Sequence, residues 1–304
     1  MMIAFSARGV HSALLLLEAG TIGVVALSEF LDGQYLDGAF VLFIPLLWRV
    51  ACVGISSIVS RSMFPTPEAT PLFSWPWLKL VLAGAVAIAR NQIWTVFSRD
   101  LSTVPKVGAS PVVALIPGYS DNGGCFLTLP QRLAAQGLEC VLFDPVNPIG
   151  DLKTNAADAA AWLKAIARLA PERPIILVGI SMGGIIARLA TVQPDTPRIT
   201  HLVTISSPHA GTWSAYLGIG TAAHQLRIGS VVLQGLASKP LNCPATAIWT
   251  PDDALLLPPT SGKLAEAETV AVSGYTHFAV VEAPAVEAAI LRVAMPSLHA
   301  VKST

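Results

Sequence analysis

The sequence predicts an α/β protein, a mostly parallel sheet covered by helices, preceded by an N-terminal transmembrane helical hairpin. Three observations predict it. After residue 105, short apolar runs alternate with segments of helical periodicity, the pattern of repeated βαβ units. Those short runs are apolar almost throughout, as strands buried on both faces must be. Before residue 105, two apolar stretches are long enough to cross a hydrocarbon core. The chain therefore divides into a helical, membrane-anchoring region at 1–105 and a second domain at 106–304.

The 304 residues are 53% hydrophobic and 12% charged, with a formal net charge of zero. That is more apolar than an ordinary soluble domain. No basic run stands out, so nucleic acid is not an expected partner. Cys52, Cys125, Cys140 and Cys243 form no Cys-x-x-Cys pair and no Cys/His cluster at zinc spacing. Three of them follow residue 105, so at least one is unpaired there, which favours a reducing compartment or buried thiols. No metal or organic cofactor is implied.

In the first region, residues 12–31 carry only Glu18 and Glu29 as charges, and residues 39–59 only Arg49. A cleaved signal peptide fits poorly, because a second span follows at once and no small-x-small site leads into a soluble start. Asp32 to Gly38 forms the turn. Glu18 lies 17 residues before Tyr35 and Arg49 lies 14 after it. Folded back on each other, the two differ in depth by about 4–5 Å at ~1.5 Å per residue. They are expected to pair, since charges inside membranes seldom stand alone; the alternative is a snorkelling Arg49 and a neutral Glu18. Residues 64–76 contain four prolines and read as a loop. Residues 77–97 have an uninterrupted apolar core only from Leu80 to Ala89, which suits an interfacial helix better than a third span. Arg8 precedes the first span, the turn has no Lys or Arg, and Arg61, Lys79, Arg90, Arg99 and Lys106 follow the second. Two spans then place the second domain on the cytoplasmic side; a third would reverse this.

In the second domain the expected elements are a strand at 111–116, a helix at 128–136, a strand at 138–143 and a helix at 154–169. There follow a strand at 174–179, a helix at 182–192 and strands at 199–206, 245–250 and 269–273. The last element is a helix at 278–293. Residues 210–243, broken by glycines, form a cap of short helices. Reactive sites in such sheets lie at the carboxyl ends of the strands.

At one such end stands Gly179-Ile180-Ser181-Met182-Gly183, between an apolar strand and a helix. This is the form of a nucleophile elbow, in which a strained turn lifts the serine hydroxyl above the sheet. Glycines flank it because a Cβ would collide with the neighbouring strand and helix. A serine needs a base, and the base an orienting carboxylate. His277, between the last strand and the last helix, is placed to be the base. His201 begins a strand and is structural; His209 follows a strand and lines the site. The acid is Asp253, with Asp252 as the alternative. The oxyanion donors are the Met182 amide and, from the turn after the first strand, the Tyr119 amide. Trp213 and Tyr216 in the cap are candidates for an apolar acyl groove.

From about Val112 onward, these motifs resemble the α/β-hydrolase superfamily, and most of all the bacterial triacylglycerol lipases and esterases with minimal lids. The resemblance rests on Ile116-Pro117-Gly118-Tyr119, Gly179-Ile180-Ser181-Met182-Gly183-Gly184, Ile205-Ser206-Ser207-Pro208-His209-Ala210-Gly211-Thr212, Asp253-Ala254-Leu255-Leu256-Leu257 and Gly274-Tyr275-Thr276-His277. It implies a Ser181–His277–Asp253 triad and hydrolysis of carboxylic esters. Two positions depart from the group: Pro117, where His is usual before the glycine, and Ile180, where His often precedes the nucleophile. The expectation is a membrane-anchored serine hydrolase acting on acyl or lipid esters. The alternatives are an acyltransferase or thioesterase with the same triad, or a catalytically idle membrane-binding module.

Overall fold

A computed structural model describes residues 6–31, 44–97, 103–106 and 110–302. The expected turn at 32–38 and the first residues of the second expected span, 39–43, lie outside the described residues.

Among the described residues, the N-terminal region holds three helices: α1, Ala7–Leu31; α2, Ile44–Met63; and α3, Trp75–Phe97. The start of α3 is set by Ser74, whose hydroxyl accepts the Trp77 N–H at 3.2 Å. Pro76 falls in the first turn, where a missing N–H costs nothing. From there α3 runs unbroken through Lys79 and Arg90 to Phe97, close to the expected bounds of 77–97. Among the described residues, α2 and α3 are the two helices long and apolar enough to cross a membrane. Arg49 and Glu18 pair as their depths required, Arg49 Nη2 donating to both carboxylate oxygens at 2.8 Å. Gln92 of α3 joins them, its Oε1 accepting from Arg49 Nε at 3.2 Å. One buried guanidinium thus ties all three helices together.

The second domain is a six-stranded sheet: β1, Val112–Ile116; β2, Glu139–Leu142; β3, Ile175–Ile180; β4, Ile199–Ile205; β5, Ala245–Trp249; and β6, Glu268–Ala271. The order is β2-β1-β3-β4-β5-β6 and every pairing is parallel. Six helices complete it: α4, Leu129–Ala135; α5, Leu152–Leu169; α6, Met182–Thr191; α7, Gly220–Gln225; α8, Val231–Ala237; and α9, Pro284–Lys302. Val112, Ala114 and Ile116 of β1 face one core with Leu163 of α5 and Ile186 of α6; Val113 and Leu115 face the other with Leu133 of α4 and Ile290 of α9. Burial on both faces is why the strands read as continuous apolar runs.

Two boundaries moved for local reasons. Helix α5 starts two residues early because the Asp151 carboxylate accepts the Thr154 N–H at 2.8 Å, an N-cap worth about 1 kcal/mol. The last helix was expected to run from 278. Instead a 3₁₀ turn, Val280–Glu282, precedes α9, because Ala283 before Pro284 is held extended. The four cysteines are free thiols.

Candidate active site

The strand order reverses between β1 and β3, the point at the carboxyl edge where open α/β sheets place their sites. Ser181 stands there, between β3 and α6, with φ of 52° and ψ of −125°. That left-handed conformation costs a non-glycine residue about 1–3 kcal/mol. It is held by the Ser181 N–H, which donates to Ile205 O on β4 at 2.8 Å. The flanking glycines are compulsory. A Cβ on Gly179 would lie 2.5 Å from the Gly183 carbonyl, and one on Gly183 would lie 2.1 Å from Ile116 O.

The loops after β5 and β6 supply the partners. His277 Nε2 lies 3.1 Å from Ser181 Oγ, and His277 Nδ1 lies 2.8 Å from Asp253 Oδ2. The second Asp253 oxygen accepts the Leu255 and Leu256 N–H groups at 2.9 and 2.7 Å. With Nδ1–H donated to a fixed carboxylate, Nε2 is free to accept the serine proton. Asp252 turns away from the imidazole, so of the two adjacent carboxylates it is Asp253 that is hydrogen-bonded to His277. The turn after β1 lies against the nucleophile, since a Cβ on Gly118 would be 3.3 Å from Ser181 Cβ. Among the described residues, no backbone acceptor takes the Met182 or Tyr119 amide. No group of three or more His, Cys, Asp or Glu among them is placed to hold a metal ion.

Residues 160–218 match the family of the PGAP1-like alpha/beta domain. Among curated proteins, no sequence matches the chain. Solved structures do match. The mature lipase BlEst2 of Bacillus licheniformis superposes with a TM-score of 0.54 at 16% identity, over 62% of this chain and 93% of that one. Lipase B of Aspergillus fumigatus gives 0.51 at 18% identity, over 57% of this chain and 49% of that one. The chain has the α/β-hydrolase fold.

On this fold, α1, α2 and α3 contact the loops at the carboxyl edge of the sheet, which the sequence did not reveal. Asp252 is the clearest contact. Its fully buried carboxylate is paired with Arg61 at the end of α2 and accepts the Thr70 N–H at 2.8 Å and the Gly274 N–H at 2.6 Å. It therefore fastens the acid loop to the base loop and both to the helical region. Ser60 of α2 donates to the Asp253 carbonyl at 3.0 Å. On the other side of the nucleophile, Asp121 Oδ1 accepts from Asn91 Nδ2 at 3.0 Å and Thr95 Oγ1 at 3.3 Å, both on α3. His11 of α1 donates to Ser120 O at 3.0 Å. Burial pushes the Asp121 carboxyl above its usual range, against the pull of His11 and these hydrogen bonds. Carboxylates at 121 and 252, in loops with no nearby cation in sequence, were the available signal: a buried acid requires partners.

His209 does not line the site. It is buried beneath the sheet edge, Nδ1 facing Arg188 Nη1 at 3.3 Å and Nε2 facing Thr204 Oγ1 at 3.0 Å. Burial and the Arg188 charge push it down to about 3, so it is a neutral core histidine. Arg188 was the sequence signal, a cation inside an apolar helix that must find an acceptor. His201 is bound to Thr246 Oγ1 at 2.9 Å, a structural role as expected. Trp213 and Tyr216 stack on each other, rings 5.2 Å apart, and each is 48% exposed. They stand on the cap surface, and no hydrogen bond or ring contact among the described residues joins them to Ser181 or His277. The Tyr119 hydroxyl ties the oxyanion turn to the cap, donating to Ile219 O and accepting the Ile219 N–H at 3.0 Å.

Proposed function

We propose that this α/β-hydrolase is a membrane-associated serine ester hydrolase that cleaves acyl esters, lipid esters among them. The observation that carries the reading is the unbroken chain from Ser181 Oγ through His277 to Asp253 at a strained elbow. Ser181 Oγ attacks the ester carbonyl while its proton passes to His277 Nε2. The oxyanion is held by the Met182 and Tyr119 amides, each such donor contributing about 10²–10³ in rate. His277 then gives its proton to the departing alcohol oxygen, leaving an acyl group on Ser181. Water repeats the sequence and releases the acid. Asp253 orients the imidazole and balances its charge. Trp213 and Tyr216 offer apolar surface for the acyl chain on the cap side.

Residues 1–105 hold the enzyme at the bilayer. Support comes from the outward faces of α1 and α2, where Leu16, Trp48 and Ile55 are 73%, 67% and 62% exposed. Large apolar side chains in that number on one face mark a lipid or partner surface. With two spans, the Lys and Arg distribution favours a cytoplasmic catalytic domain. The decisive test is Ser181→Ala. It should abolish both labelling by a fluorophosphonate probe and hydrolysis of p-nitrophenyl esters by the full-length protein in detergent. Labelling that persists in the variant puts the nucleophile elsewhere.

A further inference from the structure

A cavity of about 180 Å³ lies between α2, α3 and the acid and base loops. Its wall is made by Cys52, Val53 and Ser56 of α2, Ile88 of α3, and Leu255 and Phe278 from the loops, and it reaches His277 itself. An engineered apolar cavity of about 150 Å³ is large enough to take up benzene. Space of this size beside a catalytic imidazole is therefore a binding site by volume, and no acid, lysine or arginine lines it.

Its position says which part of a substrate it takes. The cavity touches His277, Thr276, Ala254 and Leu255, and is not lined by Ser181, Met182 or Tyr119. The acyl carbon must sit over Ser181 with its oxygen toward the amides of 119 and 182. The alcohol oxygen must sit where His277 can return a proton to it. The base side is thus the alcohol side. The cavity also adjoins the outward face of α2. Cys52 and Ser56 are half-buried along the stripe that carries the exposed Trp48, Ile55 and Val59, and Leu255 at its rim is exposed too. Beside it the packing is tight: a Cβ on Gly84 of α3 would lie 2.7 Å from Thr276 Cγ2. The helices press on the base loop there and leave room only next to it.

We propose that this cavity holds the apolar chain of the leaving alcohol, so that the substrate is an ester of a long-chain or lipid-like alcohol. The assignment rests on the ester-hydrolase reading. Without that reading there is no alcohol side. It makes the helical region part of substrate selection as well as an anchor.

The test uses full-length protein in detergent and two ester series, acetates of ethanol through decanol and p-nitrophenyl esters from acetate to decanoate. In the wild type, kcat/KM should rise with alcohol chain length. Ser56→Phe, which fills the cavity, should lower the decyl-to-ethyl acetate ratio by about tenfold or more, the effect of leaving two methylenes in water. The acyl-length dependence should hold its shape. As a check free of folding effects, Cys52 in folded wild-type protein is converted to its benzyl mixed disulfide with benzyl methanethiosulfonate, methanesulfinate being the leaving group, with Cys52→Ala as the control. The same ratio should collapse only where the thiol is present. A ratio untouched by both treatments, or a collapse in the acyl series instead, overturns the assignment. If the wild type turns over no ester and takes no fluorophosphonate, the hydrolase reading fails and carries this one with it. If acetates turn over and filling changes nothing, the cavity assignment fails alone.

Discussion

The two regions of this molecule use apolar residues in opposite senses. In the sheet domain the five residues of β1 are wholly buried, and the buried charges, Asp121, Arg188, Asp252 and Asp253, are few and each is hydrogen-bonded. In the helical region the buried side chains include His11, Arg49, Ser57, Ser60, Asn91 and Thr95, while leucine, isoleucine and tryptophan face outward. The difference teaches what each region packs against. The sheet builds its own core from the hydrophobic effect. The helices present an apolar exterior and turn polar groups inward, some to one another, as Arg49 to Glu18, and some to the loops of the sheet domain, as Ser60 to Asp253. The adjacent residues Asp252 and Asp253 mark the seam, one facing the helices and one facing the imidazole.

The largest test of that division is to neutralise each carboxylate in turn. Asp253→Asn should lower turnover of p-nitrophenyl esters by about 10⁴-fold with little change in thermal unfolding, because the amide favours the wrong imidazole tautomer. Asp252→Asn should do the reverse, shifting unfolding more than turnover. A loss of activity in Asp252→Asn that matches Asp253→Asn would erase the distinction between them. Next in size is Arg61→Ala, which strands the Asp252 carboxylate inside the protein. Breaking a buried pair from one side costs about 3–5 kcal/mol. Denaturant unfolding in detergent measures it, and a cost below about 1 kcal/mol would mean that the helices merely rest on the hydrolase.

Much of the hydrolase was legible because its signals are local. The nucleophile elbow is five consecutive residues, and the strands are short apolar runs closed by turns. The pairing of Glu18 with Arg49 was also legible, because two helices folded back on each other turn sequence distance into spatial distance. The docking of α1–α3 on the catalytic edge was not. It is carried by single polar residues whose partners are far along the chain, Arg61 with Asp252 and Asn91 with Asp121. No periodicity relates two such positions. Helix α3 was read as interfacial for the same reason: Arg90 breaks its apolar run, yet Arg90 is satisfied by Glu282, with Nη1–Oε2 at 2.7 Å. His209 was misplaced because its position after a strand suggests a site, whereas Arg188 and Thr204 occupy both of its ring nitrogens.

His209 gives a smaller test, confined to the hydrolase. Its folded value is pushed down to about 3, from an unfolded value near 6.5. Below pH 6.5 the unfolded chain takes up a proton that the folded chain refuses. Its contribution to stability is therefore whole above pH 6.5 and lost as pH falls toward 3, by up to about 1.4 kcal/mol per pH unit. His209→Gln should flatten that acid limb in unfolding measured from pH 7 to pH 4. Asp121, at the seam with the helices, has the opposite sign. Its carboxyl is raised, so it weakens the fold as pH rises above the ordinary carboxyl range, and its removal leaves the acid limb in place.

The smallest effect on the fold, and the sharpest on the contrast between the regions, comes from Ile55. It sits on α2 with its side chain largely outside the protein, two turns from Trp48 and one from Val59 in the same stripe. Were this helix packed like one from a soluble core, replacing Ile55 with Ser would open a cavity and cost well over 1 kcal/mol. An outward position instead predicts a change within about 0.5 kcal/mol for protein unfolded in detergent. The same substitution removes apolar area from whatever α2 faces, at roughly 25 cal/mol per Å². Flotation with liposomes should then show weaker association for a Trp48→Ser, Ile55→Ser pair, while detergent stability and p-nitrophenyl acetate turnover stay near wild type. Unchanged flotation together with a large loss of stability would place this stripe against protein and remove the inversion that separates the two regions.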